Sequence, residues 1–460
     1  MTKNILRPSD FLSPDQRLSS NNQKFNAILQ NDGNFVIYHS SQRALWSTST
    51  RGNPIQKLIL QDDGNLVLYD RNKKPIWASN TFGNSNRVIL QDDGNLVLYS
   101  KNNEPLWDSG TYYPVSSERF DEEMESILLQ KVKDNLSKKQ ISSKYNQQFI
   151  HMIKNSNFCF GYIVMDDNKN VDCHLYGNIS NQAKDFRNII LSIIHQFKNQ
   201  IKVKLNFFMQ FEDGLDYSDD ILEFIKKHII LLSPYSKIGR EDLEILIPDM
   251  YMMLQKNRND FYATMNNNIP FQQRIPIAKF RGSQTGGVYN MEEVRKMNLP
   301  RLKANHLSKQ FPQLLDSKLI SYDCQNTGGQ EYINYMNKSF GPPARKEPMS
   351  SFNHYRYLLC FDGNQAPPFA RPETIMISHS VPFFQTEYIK YWSCFLKDYE
   401  NYIFIKKDLS NLISSIQEMN QNYESSLKIA NKARELAEKI MLPSFQDSYF
   451  INVLNQIGQN

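Results

Sequence analysis

The first 110 residues carry a pattern of apolar and polar positions that occurs three times. Gln30–Tyr38 reads QNDGNFVIY, Gln61–Tyr69 reads QDDGNLVLY, and Gln91–Tyr99 reads QDDGNLVLY again. Asp-Gly supplies residues with positive φ for a tight turn, and the apolar residues that follow the turn recur at period two. Each copy therefore predicts a turn and a β-strand, and three copies about 30 residues apart predict a repeat architecture.

One face of each predicted strand presents the same side chains in all three copies. On a face that only contacts solvent, the residue types would differ from copy to copy. Here Gln, Asp, Asn, Val and Tyr recur at the same offsets in all three copies. A carboxylate accepts hydrogen bonds from hydroxyl groups while amide N–H groups donate back, so this set suits vicinal hydroxyls. The candidate binding residues are Gln30, Asp32, Asn34, Tyr38, Gln61, Asp63, Asn65, Tyr69, Gln91, Asp93, Asn95 and Tyr99.

The repeated QxDxNxVxY motif resembles the mannose-binding motif of the monocot bulb-type (snowdrop) lectins. The resemblance covers residues 1–112 and implies an all-β prism of three sheets (β-prism II) with one mannose pocket per copy. It also implies that Trp46, Trp77 and Trp107, each eight residues after a motif tyrosine, form the core of the prism. Shallow pockets of this kind should bind weakly one at a time and gain avidity when several are engaged.

The rest of the chain alternates predicted helices and strands, after a linker at residues 113–118. A helix begins near Phe120, and Gly161–Met165 with Val171–Tyr176 reads as a hairpin. Further predicted elements are helices at Ala183–Asn199, Ser218–His228 and Leu409–Met441, and a strand at Ile201–Phe211. The alternation favours α/β layers, and residues 119–460 suffice for two nucleotide-fold halves facing across a cleft. The whole chain is therefore predicted to be multidomain.

A loop rich in glycine and hydroxyl groups follows the predicted strand RIPIAKF. The loop, Arg281–Gly287, reads RGSQTGG. After a strand of an α/β fold, such a loop can surround a phosphate group, because glycines admit backbone N–H groups and an arginine binds two oxygens at once. An ordinary surface turn is the alternative interpretation of the same residues.

A second resemblance favours the phosphate interpretation. KFRGSQTGG resembles the FRGSxT segment of the Rumi-like protein O-glucosyltransferases, a family also described as capsule-associated, lipopolysaccharide-modifying glycosyltransferases. YRYLLCFDGN at residues 355–364 resembles that family's YKYLLxxDGN segment. The resemblance implies an α/β fold of the GT-B type with two Rossmann halves. It also implies inverting transfer from a UDP-sugar, with glucose or xylose as the expected sugar, and no obligatory metal. The residues implied for the donor diphosphate are Arg281, Gly282, Ser283, Thr285 and Arg371.

The resemblance also implies a general base beside the acceptor hydroxyl. The family places an aspartate after a strand in an N-x-R-D-x-P context, and the matching stretch NFFMQFEDGL has Asp213 at that position. Three neighbours of Asp213 depart from the pattern, so Glu212 and Asp216 stay open as alternatives. The tail departs as well, because Tyr399–Tyr402 reads YENY where the family has PWxHY.

The composition and the remaining motifs argue against a nucleic-acid-binding protein, a membrane-spanning protein and a metal-dependent transferase. The net charge of +5 is too dilute for a nucleic-acid binder, and no window of about 18 apolar residues suggests a membrane span. Asp166-Asp167 could be the metal-binding pair of a different transferase class, but a polar hairpin turn explains it better. The absence of a signal peptide favours a cytoplasmic location, or a host cytoplasm or virion if the chain is viral.

The sequence thus predicts a UDP-sugar-dependent transferase acting on a glycan or protein hydroxyl, with a mannose-binding module that targets it. The expected partners are mannose-containing glycans or glycoproteins and the UDP-sugar, and no cofactor or metal is expected. The alternative is a carbohydrate-binding protein whose transferase domain is inactive.

Overall fold

The computed structural model describes residues 3–39, 44–83, 85–92, 94–102, 105–109, 111, 122–154, 156, 159–210, 218–250, 252–253, 255–266, 269–287, 289–322, 329–363 and 370–459. The chain divides into two compact units, residues 1–119 and 120–460. Three aspartate-glycine pairs of the sequence fall in the repeats of the first unit, and the helices of the described residues all fall in the second.

The first unit is built from short antiparallel strands. Its strands are β1 (Ile5–Leu6), β2 (Phe11–Leu12), β3 (Arg17–Ser19), β4 (Phe25–Leu29), β5 (Phe35–His39), β6 (Ala44–Ser47), β7 (Ile55–Leu60), β8 (Leu66–Asp70), β9 (Pro75–Ala78), β10 (Ser85–Leu90), β11 (Leu96–Ser100) and β12 (Pro105–Asp108). They form three four-stranded sheets with the orders β1-β10-β11-β12, β2-β7-β8-β9 and β3-β4-β5-β6. The N-terminal segment therefore supplies one strand to each sheet, and each sequence copy supplies the other three.

The three sheets enclose one apolar core. Alternate residues of the repeated strands, such as Leu66 and Leu68, are fully buried, as period two requires. The rings of Trp46, Trp77 and Trp107 meet edge to face, with centroids 5.6–5.7 Å apart, and pack against this core. Edge-to-face contact is a favoured geometry for aromatic rings, so the three tryptophans join the three sheets at one point.

The second unit contains two five-stranded sheets with helices around them. Its strands are β13 (Cys159–Met165), β14 (Val171–Gly177), β15 (Leu205–Gln210), β16 (Leu231–Ser233), β17 (Ser236–Lys237), β18 (Ile245–Leu246), β19 (Ile275–Gly282), β20 (Leu315–Leu319), β21 (Tyr355–Phe361), β22 (Val381–Gln385), β23 (Tyr388–Ile389) and β24 (Ile403–Phe404). The first sheet has the order β14-β13-β15-β16-β18 and is mixed, and the second has the order β20-β19-β21-β22-β24 and is parallel throughout. The small sheet β17-β23 connects the two halves.

The helices of the second unit cover these sheets. They are α1 (Glu122–Ser137), α2 (Ser143–Ile153), α3 (Asn181–Phe197), α4 (Asp219–His228), α5 (Gln255–Met265), α6 (Met291–Lys296), α7 (Pro300–Gln310), α8 (Gly329–Phe340), α9 (Arg371–Ile377), α10 (Leu412–Gln421), α11 (Tyr423–Ile440) and α12 (Pro443–Ile457). The last helix packs against α1, and its Asp447 forms a buried ion pair with Arg258 of α5 at 2.7 Å. Because both charges are buried, this pair fixes α12 against α5, which itself packs against α9.

Most of the predicted elements of this unit are present with shifted ends. The hairpin β13-β14 is confirmed, and Asp166-Asp167 lies in its turn, where Asp167 pairs with Lys204 at 2.8 Å. The strand expected from Ile201 begins at Leu205. The single helix expected over Leu409–Met441 is wrong, because the chain leaves helical geometry at Asn422, with φ −116° and ψ 70°, and α10 and α11 are separate.

Candidate functional site

The repeated polar residues of the first unit form the same hydrogen bonds in each copy. The glutamine Nε2 donates to the tyrosine Oη over 2.9–3.0 Å in the pairs Gln30–Tyr38, Gln61–Tyr69 and Gln91–Tyr99. Oδ1 of Asp32 and of Asp63 accepts a hydrogen bond from the backbone N–H of the motif asparagine two residues later, at 3.1 and 2.9 Å. The third aspartate, Asp93, lies outside the described residues. The structure therefore brings the members of each motif together on one surface.

A pair of hydroxyl residues supports each motif asparagine, and sequence reasoning missed it. The asparagine Oδ1 accepts from a hydroxyl at 3.0–3.1 Å, and that hydroxyl contacts a second threonine at 2.7–2.8 Å. The second threonine in turn donates to the carbonyl of the turn glycine. The three hydroxyl pairs are Thr48–Thr50, Ser79–Thr81 and Ser109–Thr111. Their signal in the sequence is a Ser or Thr two residues after each tryptophan and a Thr four residues after it.

The three motif surfaces differ at the residue that faces the tyrosine across the sheet. Tyr38 pairs with Asn26, Tyr69 with Lys57, and Tyr99 with Arg87. The guanidinium of Arg87 lies over the ring of Tyr99, 4.9 Å from its centroid. At the position opposite the tyrosine, the first surface therefore has a neutral amide and the other two have cations, although Arg51 contacts Asp32 of the first surface at 3.3 Å.

In the second unit, the predicted phosphate loop follows β19, where Arg281 is held by acidic neighbours. Its Nη2 donates to Asp316 Oδ2 at 2.7 Å, its Nε to Glu347 Oε1 at 2.9 Å, and its Nη1 to the carbonyls of Phe280 and Asp316. Lys279 binds the same two carboxylates at 2.9 and 3.3 Å. The structure gives Arg281 a place in a buried ion-pair cluster, with four of its five N–H groups used inside the protein.

Two other arginines lie at the same edge of the parallel sheet. Nη1 of Arg371, at the start of α9, donates to the carbonyl of Arg281 at 2.7 Å, and its guanidinium lies 5.3 Å from the Phe280 centroid. Arg301 lies 5.6 Å from the same ring. Among the described residues, neither guanidinium forms an ion pair, and burial lowers the pKa of both, that of Arg301 to about 10. Two cations that lack acidic partners at one edge of a sheet suit an anionic ligand.

Arg301 also fixes the loops around the site, a role that no motif in the sequence predicts. Its Nη1 donates to the carbonyl of Ser283 at 2.9 Å, its Nε to that of Asp362 at 3.0 Å, and its Nη2 to that of Phe361 at 3.0 Å. These bonds connect the loop after β19 to the end of β21. Each of the three guanidinium nitrogens donates one of these hydrogen bonds, so Arg301 acts mainly by positioning the loop.

The loop itself comes close to the end of β21 because of its glycines. Gly286 has φ +92°, and a Cβ there would lie 3.1 Å from the carbonyl oxygen of Asp362. The side chains of Ser283 and Thr285 are half-buried on this loop. Gly282 ends β19 and is buried. The sequence-predicted diphosphate residues therefore share one loop and its neighbouring helix, although their side chains have different partners.

A cavity of about 150 Å³ lies beyond the carboxyl ends of β21 and β22. Five of its fourteen lining residues are aromatic, including Trp392 and Tyr402, and Asp362 and Pro372, the residue after Arg371, also line it. Oδ2 of Asp362 accepts from the N–H of Glu387 at 2.7 Å, while its buried Oδ1 has no hydrogen-bond partner within the described ranges. Burial raises the pKa of Asp362 to about 6.

A buried ion-pair cluster holds the start of α9 behind this cavity. Nζ of Lys390 contacts Glu373 Oε1 at 2.8 Å and Asp249 Oδ2 at 3.3 Å, and Asp249 also accepts from the N–H of Ala370. Burial alone would lower the pKa of Lys390, but the two carboxylates raise it above its ordinary value. The cluster fixes the helix that carries Arg371.

The predicted base Asp213 and its alternatives Glu212 and Asp216 lie outside the described residues. Across the described ranges, no group of three His, Cys, Asp or Glu side chains is arranged to hold a metal ion. None of the helices that the structure describes is both long enough and apolar enough to cross a lipid bilayer.

Comparisons with known proteins fall into two groups that follow the two units. Residues 50–117 match the family model described as D-mannose binding lectin. The snowdrop (Galanthus nivalis) mannose-specific agglutinin is 41% identical over 22% of this chain and 91% of its own, with a TM-score of 0.20. A monomeric mannose-binding lectin of Gastrodia elata is 36% identical over 24% of this chain and 99% of its own, with a TM-score of 0.22.

The second group covers the C-terminal half of the chain. Residues 248–459 match the family model described as glycosyl transferase family 90. Human protein O-glucosyltransferase 3 is 24% identical over 163 residues, which are 35% of this chain and 29% of that protein. An uncharacterised protein of Invertebrate iridescent virus 6 is 25% identical over 37% of this chain and 16% of its own length. The chain spans about a third of the length of the O-glucosyltransferases that it matches. By these matches, the chain carries a D-mannose binding lectin region followed by a region of glycosyl transferase family 90.

Proposed function

We propose that the chain is an inverting glycosyltransferase that takes a sugar from a UDP-sugar and is targeted by its mannose-binding region. In this proposal, the first unit is a β-prism II and the second a GT-B fold whose two sheets are its Rossmann halves. The observation that carries the proposal is Arg371, a cation without an acidic partner among the described residues. It stands beside a glycine-rich loop at the carboxyl ends of a parallel sheet. In open α/β sheets, ligands bind at that end.

The donor diphosphate is proposed to bind Arg371, the backbone N–H groups of the loop, and the hydroxyls of Ser283 and Thr285. Arg371 matches the geometry of diphosphate oxygens, and partial burial strengthens a charge-assisted hydrogen bond. Arg301 positions the loop for the ligand, because its three carbonyl contacts connect the loop to the end of β21. Arg281 contributes through the strand position that its ion pairs fix, because most of its donors are already used.

The adjoining aromatic cavity is proposed to accept part of the donor. Asp362 faces it with a buried oxygen that lacks a hydrogen-bond partner among the described residues. A hydroxyl of the donor would supply the missing hydrogen bond, and a buried acceptor gains most from such a partner. Asp362 would then help to orient the sugar or the ribose.

Asp213 is proposed to take the proton of an acceptor hydroxyl as that oxygen attacks the anomeric carbon from the face opposite the diphosphate. The bond from the anomeric carbon to the diphosphate oxygen breaks, and the diphosphate leaves with the bonding electrons. Arg371 would stabilise the negative charge that develops there, without a metal. Glucose or xylose is the expected sugar, and a glycan or protein hydroxyl the acceptor.

The first unit is proposed to hold mannose-containing glycans at the three motif surfaces. The glutamine, aspartate, asparagine and tyrosine of each motif would contact sugar hydroxyls, and the supporting hydroxyl pairs fix the orientation of the asparagine amide. Engagement of several surfaces would raise the affinity for branched glycans.

The assignment of the base is tested with Asp213→Asn, which keeps the size of the side chain but cannot accept the proton. Turnover should fall about 10²–10⁴-fold while UDP affinity stays within about twofold, because the base acts only in the transition state. Glu212→Gln is the matched control. Full turnover in Asp213→Asn would refute the assignment. Clean UDP binding without transfer to any acceptor by the unmodified protein would instead favour a carbohydrate-binding protein with an inactive transferase region.

A further inference from the structure

A second and larger cavity lies in the first half of the second unit. It has a volume of about 450 Å³, within the range of small-molecule sites. Its walls come from α1, the segment 241–246, the segment 389–394 and α12. It shares Ile389, Lys390 and Ser393 with the smaller cavity, whereas neither the glycine-rich loop nor Arg371 lines it.

Two buried acceptors in this cavity lack a partner within the described ranges. Glu244 is 2% exposed, and its Oε2 accepts from Ser236 Oγ at 2.7 Å while its Oε1 has no hydrogen-bond partner. Asn135 is 7% exposed, and its Nδ2 donates to the backbone carbonyl of Glu244 at 3.4 Å while its Oδ1 is unpartnered. Both side chains line the cavity. Buried polar atoms normally have partners, so two unpartnered acceptors in one cavity indicate a ligand that carries donors.

The nearest buried cation does not neutralise Glu244. Nζ of Lys139 donates to the carbonyls of Ile225, Lys226 and Leu243 at 3.0–3.4 Å, and its described contacts include no carboxylate. Burial raises the pKa of Glu244 to about 7 and lowers that of Lys139 to about 8. A carboxylate buried without a paired cation is costly, so a positively charged ligand would gain more here than a neutral one.

The rest of the cavity is largely apolar. Leu128, Val132 and Ile245 are buried in its wall. The hydroxyls of Tyr391 and Tyr449 already donate to the carbonyls of Ile440 and Leu246 at 2.7 and 2.9 Å, so these two residues offer a ligand mainly their rings. The cavity thus combines apolar surface with the buried carboxylate of Glu244, which has no ion-pair partner among the described residues. Its other charged lining residues carry both signs and are Lys131, Lys138, Lys390, Asp134, Glu241 and Asp242.

We propose that this cavity binds a small organic cation, a protonated amine on an apolar body. Its N–H groups donate to Glu244 Oε1 and Asn135 Oδ1, and its apolar part packs against Leu128, Val132 and the two tyrosine rings. The ligand does not need the UDP-sugar in order to bind, because the glycine-rich loop and Arg371 take no part in this cavity.

The test compares phenethylamine with 2-phenylethanol, which has the same body and a neutral hydroxyl in place of the ammonium. Calorimetric titration of the full-length protein at neutral pH, without any UDP-sugar, should give saturable binding of the amine at least tenfold tighter than that of the alcohol. Glu244→Gln should remove this preference without lowering the melting temperature, because a neutral amide relieves a buried charge. Glu241→Gln, at a residue that also lines the cavity, is the control and should change amine affinity less than twofold.

The binding position is checked with Cys394, which lines the same cavity and is exposed. Bound phenethylamine should slow the alkylation of Cys394 at least threefold, read from the labelled peptide by mass spectrometry. Equal affinity for the alcohol would overturn the proposal in favour of a site for neutral hydroxyls. Absence of saturable amine binding would overturn it in favour of a cavity that holds water only. Binding unaffected by Glu244→Gln would place the amine elsewhere and overturn it too.

Discussion

The family resemblance implies the same role for Arg281 and Arg371, but the two have different partners, and replacing each by methionine should separate their roles. Methionine keeps much of the length of the side chain and removes the charge. In Arg371→Met, the protein loses a cation that has no acidic partner among the described residues, whereas in Arg281→Met it loses two ion pairs. We expect the first change to affect ligand affinity and the second to affect stability.

The magnitude for Arg371 follows from the contacts that a guanidinium makes with a diphosphate. Charge-assisted hydrogen bonds contribute about 1.5–3 kcal/mol each, and two partly solvated ones give a loss of about 2–4 kcal/mol. That loss corresponds to a fall in UDP affinity of roughly 30- to 1,000-fold. The free energy of unfolding should change by no more than about 1 kcal/mol, since removal of an unpaired buried charge offsets the lost bond to the carbonyl of Arg281.

For Arg281, the loss should appear in the free energy of unfolding. Breaking a buried ion pair costs about 3–5 kcal/mol, but Asp316 and Glu347 are 27% and 32% exposed and keep Lys279 as a partner. We therefore expect a cost of about 2 kcal/mol and a change in UDP affinity of no more than about threefold. Urea unfolding and calorimetric titration with UDP on both variants give the two quantities.

The reverse pattern would refute this reasoning. If Arg281→Met loses most of the UDP affinity while Arg371→Met keeps it, the diphosphate lies on the side of the Asp316 and Glu347 cluster. An equal loss of affinity in both variants, with both stable, would mean that both guanidinium groups bind the ligand, as the sequence resemblance alone implies.

Three further predictions concern the lectin motifs, the buried glutamate and metals. Simultaneous replacement of the motif asparagines Asn34, Asn65 and Asn95 by alanine should abolish retention of the protein on mannose resin, while its circular dichroism spectrum stays unchanged. Retention of the triple variant on the resin would contradict the pocket assignment. The raised pKa of Glu244 means that the folded protein holds its proton more tightly than the unfolded chain. Unmodified protein should therefore lose stability relative to Glu244→Gln as pH rises from about 4.5 to about 7, by about 3 kcal/mol in urea unfolding, and a flat difference would contradict it. The charged groups that act on this carboxyl are Lys139 and Arg240, and the measurement at several salt concentrations shows their contribution. EDTA should leave UDP affinity and transfer within about twofold, and an absolute manganese requirement would contradict the metal-free proposal.

The sequence by itself determined the features that are local or repeated. Three copies of one motif fixed which residues share a surface, because period two puts Gln61, Asn65 and Tyr69 on one side of a strand and Leu66 and Leu68 on the other. The β13-β14 hairpin and its Asp166-Asp167 turn were predictable for the same reason, since neighbouring residues and turn chemistry decide them. The glycine-rich loop after β19 was found from its composition alone.

The tertiary structure decided the features that depend on partners far apart in the chain. Lys390 forms an ion pair with Asp249, which is 141 residues away in the chain. Arg301 donates hydrogen bonds to the backbone carbonyls of Phe361 and Asp362, about 60 residues away. No local pattern marks such pairs. The sequence could not tell that Arg281 is neutralised by Asp316 and Glu347 while Arg371 is not, because the charge available to a ligand depends on which acids the fold brings within about 4 Å. For the same reason, the sequence did not predict that Glu244 is a candidate ligand-binding residue. Only the residues packed around a carboxylate decide whether a cation of the protein pairs with it or a ligand can do so.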